Sequence, residues 1–140
     1  MERPYTVDHV DHIVLRVRDL ERSEAFYTAL GGSVCIRRAD NVSLEMGTTT
    51  RVTLKHEPSF SPPSVSSLDH LNFAVNADDI HMVVKYLQAQ GIQILEEDIS
   101  HTSPSARMLD PDQNVIELRL AEPDAAVLQQ GALGRAPRTS

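Results

Sequence analysis

Alternating apolar and polar positions begin each half of the chain. Over residues 12–18, Ile13 and Leu15 fall on one side and His12 on the other. This period of two is typical of a half-buried strand. The same pattern returns over residues 69–75, again with a histidine near its start. Each half is therefore predicted to begin with a strand that carries a histidine.

A segment with helical periodicity follows each of these strands. In the first half, Asp19 is a predicted helix N-cap and Gly31-Gly32 a predicted C-terminal cap. In the second half, a helix is predicted near 78–90, ended by Gly91. Turn residues then separate three short strand candidates in each half. These candidates lie at 33–39, 42–46 and 51–56, and at 92–99, 105–109 and 115–120. The predicted order is βαβββ twice.

A repeated phrase indicates that the two halves are copies of one unit. The chain reads VDHIVLRV from residue 10 and LDHLNFAV from residue 68, and the two histidines lie 58 positions apart (70 − 12 = 58). The simplest interpretation is a duplicated fold with a duplicated ligand position. The 140 residues then form a single domain with module one at about 9–57, a Pro/Ser linker at 58–67, module two at about 68–121 and a tail at 122–140.

Composition excludes several classes of function. The formal charge of −7 opposes phosphate backbones, and three Tyr, three Phe and no Trp leave little surface for base stacking, so nucleic acid is not an expected partner. No apolar run is long enough for a membrane helix, and the N-terminus lacks the apolar core of a signal peptide. We therefore expect a cytoplasmic protein without membrane contact. The single cysteine, Cys35, is expected to be buried and unreactive in a strand.

Three residues form the strongest candidate site. His12, His70 and Glu117 each lie on a predicted strand, opposite its most apolar neighbours. Two imidazoles and a carboxylate on the sheet face away from the helices would be costly without a partner, which a divalent metal would supply. The set suits zinc, manganese, nickel or iron(II), and three protein ligands leave positions open for water or substrate. A lone strand histidine is more often structural, but its repetition at matched positions favours a metal site.

Three phrases resemble one known family. They read VDHIVLRVRDLERSEAFYTALG, LDHLNFAV and MLDPDQNVIEL, and they are similar to the vicinal oxygen chelate superfamily. That superfamily includes glyoxalase I, extradiol dioxygenases, fosfomycin-resistance enzymes and bleomycin-binding proteins. The resemblance implies an α+β fold in which two βαβββ modules form half-barrel metal cups, completed by a homodimer. It also implies that His12 comes from one subunit and that His70 and Glu117 come from the other.

Several positions depart from individual members of the family. Thr53 stands where glyoxalase I is expected to have a further carboxylate ligand, which weakens that assignment. The layout is closest to the fosfomycin thiol-transferases. However, Val14 stands where that group has a Thr, Arg107 where it has a Tyr, and Glu97 near the place of a Lys. Fosfomycin is therefore not an expected substrate.

Basic residues near the candidate ligands are candidates for substrate binding. Arg107, Arg119 and Lys55 could hold a carboxylate or phosphonate, since a guanidinium can bind such a group through two hydrogen bonds. Arg107 is favoured because its family counterpart faces the cup. His56, beside the linker, is a candidate for a general base or for a contact to a metal ligand, although a surface turn is the simpler interpretation.

The turn before the last strand is expected to orient Glu117. Residues 110–114 resemble the family's turn at this place. Pro111 restricts φ and Asn114 tolerates a left-handed conformation, so the turn can set the register of the strand that carries Glu117. Tyr27, near the end of the first predicted helix, is expected only to pack.

The leading functional hypothesis is a divalent-metal enzyme that acts on a small molecule chelated through two neighbouring oxygens. A glyoxalase-like lyase or isomerase and a thiol-transferase or hydrolase all fit this chemistry. One alternative is an iron(II) extradiol dioxygenase. Another is a non-catalytic resistance protein that binds a drug or metabolite, including an antibiotic, in the same cup. The substrate, the metal and any thiol co-substrate stay open at this point.

Overall fold

The predicted order of strands and helices is confirmed, with changes of at most two residues at their ends. The computed structural model describes residues 1–100 and 104–121, and the predicted tail at 122–140 lies outside them. The elements are β1 (His12–Val17), α1 (Leu20–Ala29), β2 (Ser33–Arg37), β3 (Asn41–Met46), β4 (Thr50–His56), β5 (Leu71–Val75), α2 (Ile80–Ala89), β6 (Ile94–Asp98), β7 (Ser105–Leu109) and β8 (Val115–Leu120). The strand predicted from residue 69 begins at Leu71, so His70 stands immediately before β5.

Each half of the chain forms a four-stranded mixed sheet with the same topology. The strand orders are β1-β4-β3-β2 and β5-β8-β7-β6. In each sheet the first and last strands of the module pair in parallel, β1 with β4 and β5 with β8. A parallel pair cannot be joined by a hairpin, and the intervening helix and two strands supply the long connection that it needs. The predicted α+β, two-module fold is confirmed.

The duplication extends to an irregularity in each sheet. Register shifts between Val34 and Ile36 where β2 pairs with β3, and between Ile94 and Glu96 where β6 pairs with β7. A bulge bends a strand and redirects its side chains, so the same device shapes the same edge of both sheets.

The strands alternate as the sequence predicts, and their apolar faces pack with the helices. In the first unit the buried apolar residues include Leu15, Val17, Phe26, Tyr27, Val42, Leu44, Val52 and Leu54. In the second unit they include Ile80, Val84, Leu87, Ala106, Met108, Ile116 and Leu118. The predicted cap Asp19 accepts a hydrogen bond from the backbone N–H of Arg22, which satisfies an otherwise unpaired donor at the start of α1.

Two compact units divide the chain, and their boundary does not follow the sequence. The first contains Met1–Asp69 together with the turn segment Leu109–Asn114. The second contains the described residues of His70–Met108 together with residues 115–121. The turn that precedes β8 therefore belongs to the unit built from the first module.

One local expectation is wrong. Cys35 is exposed rather than buried, because β2 is the edge strand of its sheet and Cys35 lies in the bulge of that strand. In the turn before β8, the residue with a left-handed conformation is Gln113, with φ of 70°. Asn114 instead donates its backbone and side-chain N–H groups to the carboxylate of Asp110.

Neither α1 nor α2 could cross a membrane. Each has ten residues, and no helix within residues 1–100 and 104–121 combines the length and the apolar character of a membrane span.

Candidate functional site

A buried carboxylate lies at the centre of the second sheet. Glu117 of β8 is only 5% exposed, and its neighbour across the parallel pair is Asn72 of β5. The side-chain amide of Asn72 donates to Glu117 Oε1 at 3.3 Å. Because a buried charge is costly unless it is paired and hydrogen-bonded, this carboxylate needs further partners.

Two arginines supply these partners. Arg107 of β7 donates from Nε to Glu117 Oε2 at 2.9 Å, which is the length of a charge-assisted hydrogen bond. Arg119, two residues after Glu117 on the same strand, places Nη2 3.7 Å from Oε1. Both arginine side chains are about 40% exposed, so each guanidinium extends from the buried carboxylate toward solvent.

His70 approaches the same carboxylate. Its Nε2 lies 3.8 Å from Glu117 Oε2, which is too long for a hydrogen bond. Two ligand atoms that each lie about 2.1 Å from one metal ion are separated by at most about 4.2 Å. The imidazole and the carboxylate therefore lie within the range of two ligands of one cation. The side chains present here fit a divalent metal in chemistry and in separation.

A polar cleft opens beside this cluster, with a volume of about 330 Å³. Its lining residues come from β6, β7 and β8, and they are Glu96, Asp98, Ser105, Arg107, Glu117 and Arg119. Within the part of the chain that the structure describes, Arg119 Nε is buried and has no hydrogen-bond partner. Arg119 thus lines the cleft and has one donor that no acceptor among the described residues satisfies.

His12 begins β1 in the first unit. Its Nδ1 lies 2.7 Å from the carboxylate of Asp11. That hydrogen bond holds the pKa of Asp11 below its usual range. When Nδ1–H donates to a carboxylate, the neutral ring keeps its lone pair on Nε2, which is the arrangement commonly found in metal-binding histidines. His12 is therefore oriented as a ligand would be.

The remaining candidates lie on β4 of the first unit. Lys55 is paired with Glu57 at 3.5 Å, and Arg16 of β1 contacts the same carboxylate at 3.1 Å. His56 is exposed at the end of β4. Thr53, at the place of the expected carboxylate, shares a hydrogen bond of 2.8 Å with Ser43.

The structure thus brings together only part of the predicted set. In the second unit, His70, Arg107 and Arg119 each lie within 4 Å of the carboxylate of Glu117. His12, Lys55 and His56 belong to the first unit. Across the described ranges of this single chain, no group of three or more His, Cys, Asp or Glu side chains is arranged to hold a metal. The three-ligand site stays a prediction, one that assigns His12 to the partner subunit.

Sequence reasoning missed Asn72. The residue lies two positions after His70, so the alternation of the strand puts both on one face. That alternation, together with the parallel register of β5 and β8, is the signal that could have found it.

Sequence reasoning also missed the polar role of Tyr27. The phenol is fully buried and donates to Asp110 Oδ2 at 2.5 Å. Burial, and then the nearby negative charge of Asp110, raise the pKa of Tyr27 far above its usual range. Tyr27 therefore helps to hold the turn before β8, and Phe26 beside it is the residue that only packs.

A second contact holds the same turn. Asp112 is 3% exposed, and its carboxylate accepts hydrogen bonds from the backbone N–H and the Nε of Arg18, at 3.1 and 2.9 Å. Ser23 of α1 donates to its other oxygen at 3.3 Å. The two acidic residues of the turn are thus buried among donors from the first module, and β8 with Glu117 begins directly after it.

Comparison with known proteins identifies relatives that match most of the chain. The model of the Glyoxalase/Bleomycin resistance protein/Dioxygenase superfamily matches residues 9–118. The glyoxalase domain-containing protein RDO1 of Mycosarcoma maydis is 33% identical over 127 residues, covering 84% of this chain and 70% of that protein. Virulence protein STM3117 of Salmonella typhimurium is 30% identical over 122 residues, covering 80% of this chain and 83% of that protein.

Solved structures share the fold at lower identity. A glyoxalase/dioxygenase from Nostoc punctiforme has a TM-score of 0.77 at 24% identity, over 88% of this chain and 97% of that one. A glyoxalase family protein from Enterococcus faecalis has a TM-score of 0.67 at 22% identity, over 79% of this chain and 96% of that one. At these identities the likeness shows the fold alone.

Proposed function

The chain belongs to the Glyoxalase/Bleomycin resistance protein/Dioxygenase superfamily, and on that premise we propose that it is a divalent-metal enzyme. The metal would be held by His12, His70 and Glu117. The substrate would be a small oxygenated molecule chelated through two vicinal oxygens. The observation that carries the proposal is the separation of 3.8 Å between His70 Nε2 and the buried carboxylate of Glu117.

The chain's own residues prepare the site. The hydrogen bond to Asp11 orients His12 and leaves its Nε2 for a ligand bond. The amide of Asn72 holds one oxygen of Glu117 in place. Arg107 and Arg119 offer guanidinium groups to a negatively charged part of the substrate. A bound divalent cation would act as a Lewis acid and stabilise negative charge that develops on a substrate oxygen.

A glyoxalase-like lyase or isomerase and a thiol-transferase or hydrolase all fit this arrangement. These reactions place negative charge on an oxygen next to the metal. Thr53, which is hydrogen-bonded to Ser43, offers no carboxylate as a fourth ligand, and this favours the three-ligand members of the superfamily over glyoxalase I. An iron(II) extradiol dioxygenase would use the same three ligands. Oxygen consumption on a catechol with the iron-loaded protein would select it.

Elemental analysis of the purified protein tests the proposal. The wild type should carry about one metal ion per chain. His70→Ala should lose it, because a catalytic site has only three protein ligands and the variant would keep two of them. His81→Ala is the matched control, since His81 lies on α2 and contacts Glu97 rather than Glu117. Equal metal content in wild type and His70→Ala, after removal of loosely bound ions, would contradict the proposed site.

The proposed homodimer is tested by mixing two variants, each of which lacks one of the two histidine ligands. His12→Ala and His70→Ala, refolded together, would form mixed dimers in which one site receives both wild-type histidines. About a quarter of the wild-type metal content should then return, since half of the dimers are mixed and each regains one of two sites. No recovery is expected if each chain builds its own site, and that result would contradict shared ligation.

A second candidate function is favoured by one observation. The ion pair between Arg107 and Glu117, at 2.9 Å, already neutralises the carboxylate, as would suit a protein that binds a drug or metabolite without a metal. Such a protein would bind its ligand equally well after dialysis against a chelator. A metal enzyme would lose binding of its oxygenated substrate.

A further inference from the structure

We propose that Arg107 and the divalent cation compete for the same oxygen of Glu117, and that a small oxyanion relieves this competition by taking the guanidinium. The inference rests on the proposed function, because it needs a metal at His70 and Glu117. It adds a substrate class, a carboxylate or phosphonate that binds Arg107, and a coupling by which that anion tightens metal binding.

The competition follows from the position of one atom. Oε2 of Glu117 accepts the hydrogen bond from Arg107 Nε at 2.9 Å. The same Oε2 is the carboxylate oxygen that lies 3.8 Å from His70 Nε2. A cation bridging the imidazole and the carboxylate would therefore engage the atom that the guanidinium holds. The other oxygen, Oε1, is occupied by the amide of Asn72 and is approached by Arg119.

Electrostatics make joint occupancy unfavourable. A guanidinium and a divalent cation on one carboxylate oxygen repel each other, and the repulsion is screened weakly because Glu117 is 5% exposed. Arg107, by contrast, is 39% exposed along its side chain, and it lines the cleft of about 330 Å³. Its guanidinium therefore has space to turn away from Glu117 when a metal binds.

Charge in the cleft then favours an anion. The lining side chains carry two positive and three negative charges, a net charge of −1 without metal. A divalent cation on Glu117 changes that sum to +1 and frees the donors of Arg107. Arg119, whose side chain also lines the cleft and is 43% exposed, adds a second guanidinium. Carboxylates and phosphonates match these donors because they accept hydrogen bonds on two adjacent oxygens.

The two ligands must then help each other. An anion bound to Arg107 removes the competitor of the metal, and by linkage the metal raises the affinity for the anion by the same factor. Without Arg107, the metal should bind more tightly and the anion should lose its influence. This opposite response separates the proposal from a merely structural role of Arg107, whose removal would loosen the site and weaken the metal.

The experiment is a manganese(II) titration followed by calorimetry and by the electron paramagnetic resonance signal of free manganese. Wild type is compared with Arg107→Gln, and Arg37→Gln is the matched control, since Arg37 lies in the first sheet and pairs with Glu24 of α1. We expect Arg107→Gln to bind manganese about ten-fold tighter than wild type, as befits removal of one charge-assisted hydrogen bond. Arg37→Gln should match wild type.

The same titrations are repeated with excess methylphosphonate. Wild type and Arg37→Gln should bind manganese several-fold tighter with the anion present, whereas Arg107→Gln should not respond. Equal manganese affinity in all three proteins, or equal tightening by methylphosphonate in all three, overturns the competition while leaving the metal site in place. Failure of all three proteins to bind manganese, zinc, nickel or iron(II) would instead contradict the proposed function and the inference with it.

Arg107→Lys covers the case in which the glutamine variant fails to fold. Lysine keeps the charge but loses the planar pair of donors, so its manganese affinity should not fall below that of wild type. Thermal unfolding of each variant without metal establishes that it is folded. A folded lysine variant with weaker manganese binding would show that Arg107 supports the metal site rather than competing for it, and would overturn the proposal.

Discussion

The two sheets share strand order, parallel pairing and bulge, but they carry different chemistry at the same place. In the first sheet Val14 of β1 pairs with Thr53 of β4, and in the second sheet Asn72 of β5 pairs with Glu117 of β8. One copy has a neutral hydroxyl where the other has a carboxylate. The scaffold is duplicated, and the ionised residue is confined to the second copy.

The neighbouring strand repeats this difference. Next to the bulge, Ile36 pairs with Ser43 in the first sheet, and Glu96 pairs with Arg107 in the second. Ser43 satisfies Thr53 by a neutral hydrogen bond, whereas Arg107 satisfies Glu117 by an ion pair. At this matched position the neutral hydroxyl thus has a neutral partner, and the carboxylate has a cationic one. A duplicated fold can place a charged site in one copy only if the neighbouring strand changes with it.

The largest expected effect is on metal affinity, and it should differ between matched positions of the two sheets. Glu117→Gln should weaken metal affinity at least about 100-fold, equivalent to about 2.7 kcal/mol, because an amide is a much poorer ligand than a carboxylate. Thr53→Val, at the matched position of the first sheet, should leave metal affinity unchanged. Equilibrium dialysis with zinc measures both. A comparable loss in Thr53→Val would mean that the first sheet contributes a ligand at this position.

The next effect concerns the ends of the two helices. Gly32 and Ile92 occupy matching places, since their N–H groups bond the carbonyls of Tyr27 and Leu87. A Cβ on Gly32 would lie 2.8 Å from the Tyr27 carbonyl oxygen and 2.7 Å from Met46 Sδ. Backbone cannot yield easily, so Gly32→Ala should cost about 2–3 kcal/mol of unfolding free energy. The second copy tolerates isoleucine at this place.

Gly91→Ala is the control for that substitution. Gly91 has a φ of 85° and open space around its Cβ position, so alanine there should cost only the roughly 1–2 kcal/mol of a left-handed conformation. Urea unfolding measures both variants. A smaller loss for Gly32→Ala than for Gly91→Ala would contradict the crowding at the end of α1.

A smaller effect distinguishes Tyr27 from Leu87, its counterpart in α2. Tyr27→Phe removes the hydrogen bond to Asp110 and should cost about 1–2 kcal/mol at neutral pH, because a buried carboxylate loses one donor. Leu87→Met, which changes only packing, should cost less than about 1.5 kcal/mol. Denaturant unfolding at pH 7 compares them. If Tyr27→Phe leaves the free energy of unfolding unchanged, the turn is held without the hydrogen bond from the phenol.

Alkaline pH gives the same residue a distinct signature. The pKa of Tyr27 is raised in the folded protein, so the unfolded chain releases the phenol proton first, near pH 10. This contribution to stability is complete below pH 10 and falls above it by about 1.4 kcal/mol per pH unit. The stability difference between wild type and Tyr27→Phe should therefore shrink from pH 9 to pH 11. A constant difference would contradict the raised pKa.

The smallest effect concerns ion pairs between helix and strand. Arg37 of β2 donates two hydrogen bonds to Glu24 of α1, and this pair holds the pKa of Glu24 below its usual range. The stability from Glu24 is therefore present above the unfolded pKa and lost as pH falls through the lower folded one. Because the pair is largely exposed, Arg37→Gln should slightly lower the melting temperature at low salt and leave it unchanged at 1 M salt. An equal decrease in melting temperature at both salt concentrations would indicate that Arg37 stabilises the protein by packing rather than by its charge.

Much of the fold could be predicted from short stretches of sequence. Apolar alternation from His12 and the N-cap at Asp19 depend on residues within one element, and both are confirmed. The prediction that failed concerns a property that sheet order decides. Cys35 lies in a strand as predicted, but its exposure depends on β2 being an edge strand.

The sequence likewise predicted only part of the candidate site. The repeat and the alternation placed His70 and Glu117 on one face, and the structure brings them within 3.8 Å. The partners of Glu117 come from elsewhere, since Asn72 is 45 residues away and Arg107 lies on β7. Tyr27 and Asp110 are 83 residues apart, and no local pattern relates them.

The amino-acid sequence by itself determined the two copies of strand, helix and three strands, the ends of the helices and the candidate ligands, because hydrophobic periodicity and capping are properties of neighbouring residues. Tertiary structure alone decided which charges meet: that Arg107 holds Glu117, that Thr53 is satisfied by Ser43 and that the turn before β8 is anchored by Tyr27. The physical reason is that strand order and register bring together side chains far apart in the chain, and burial then requires each polar group to find a partner there.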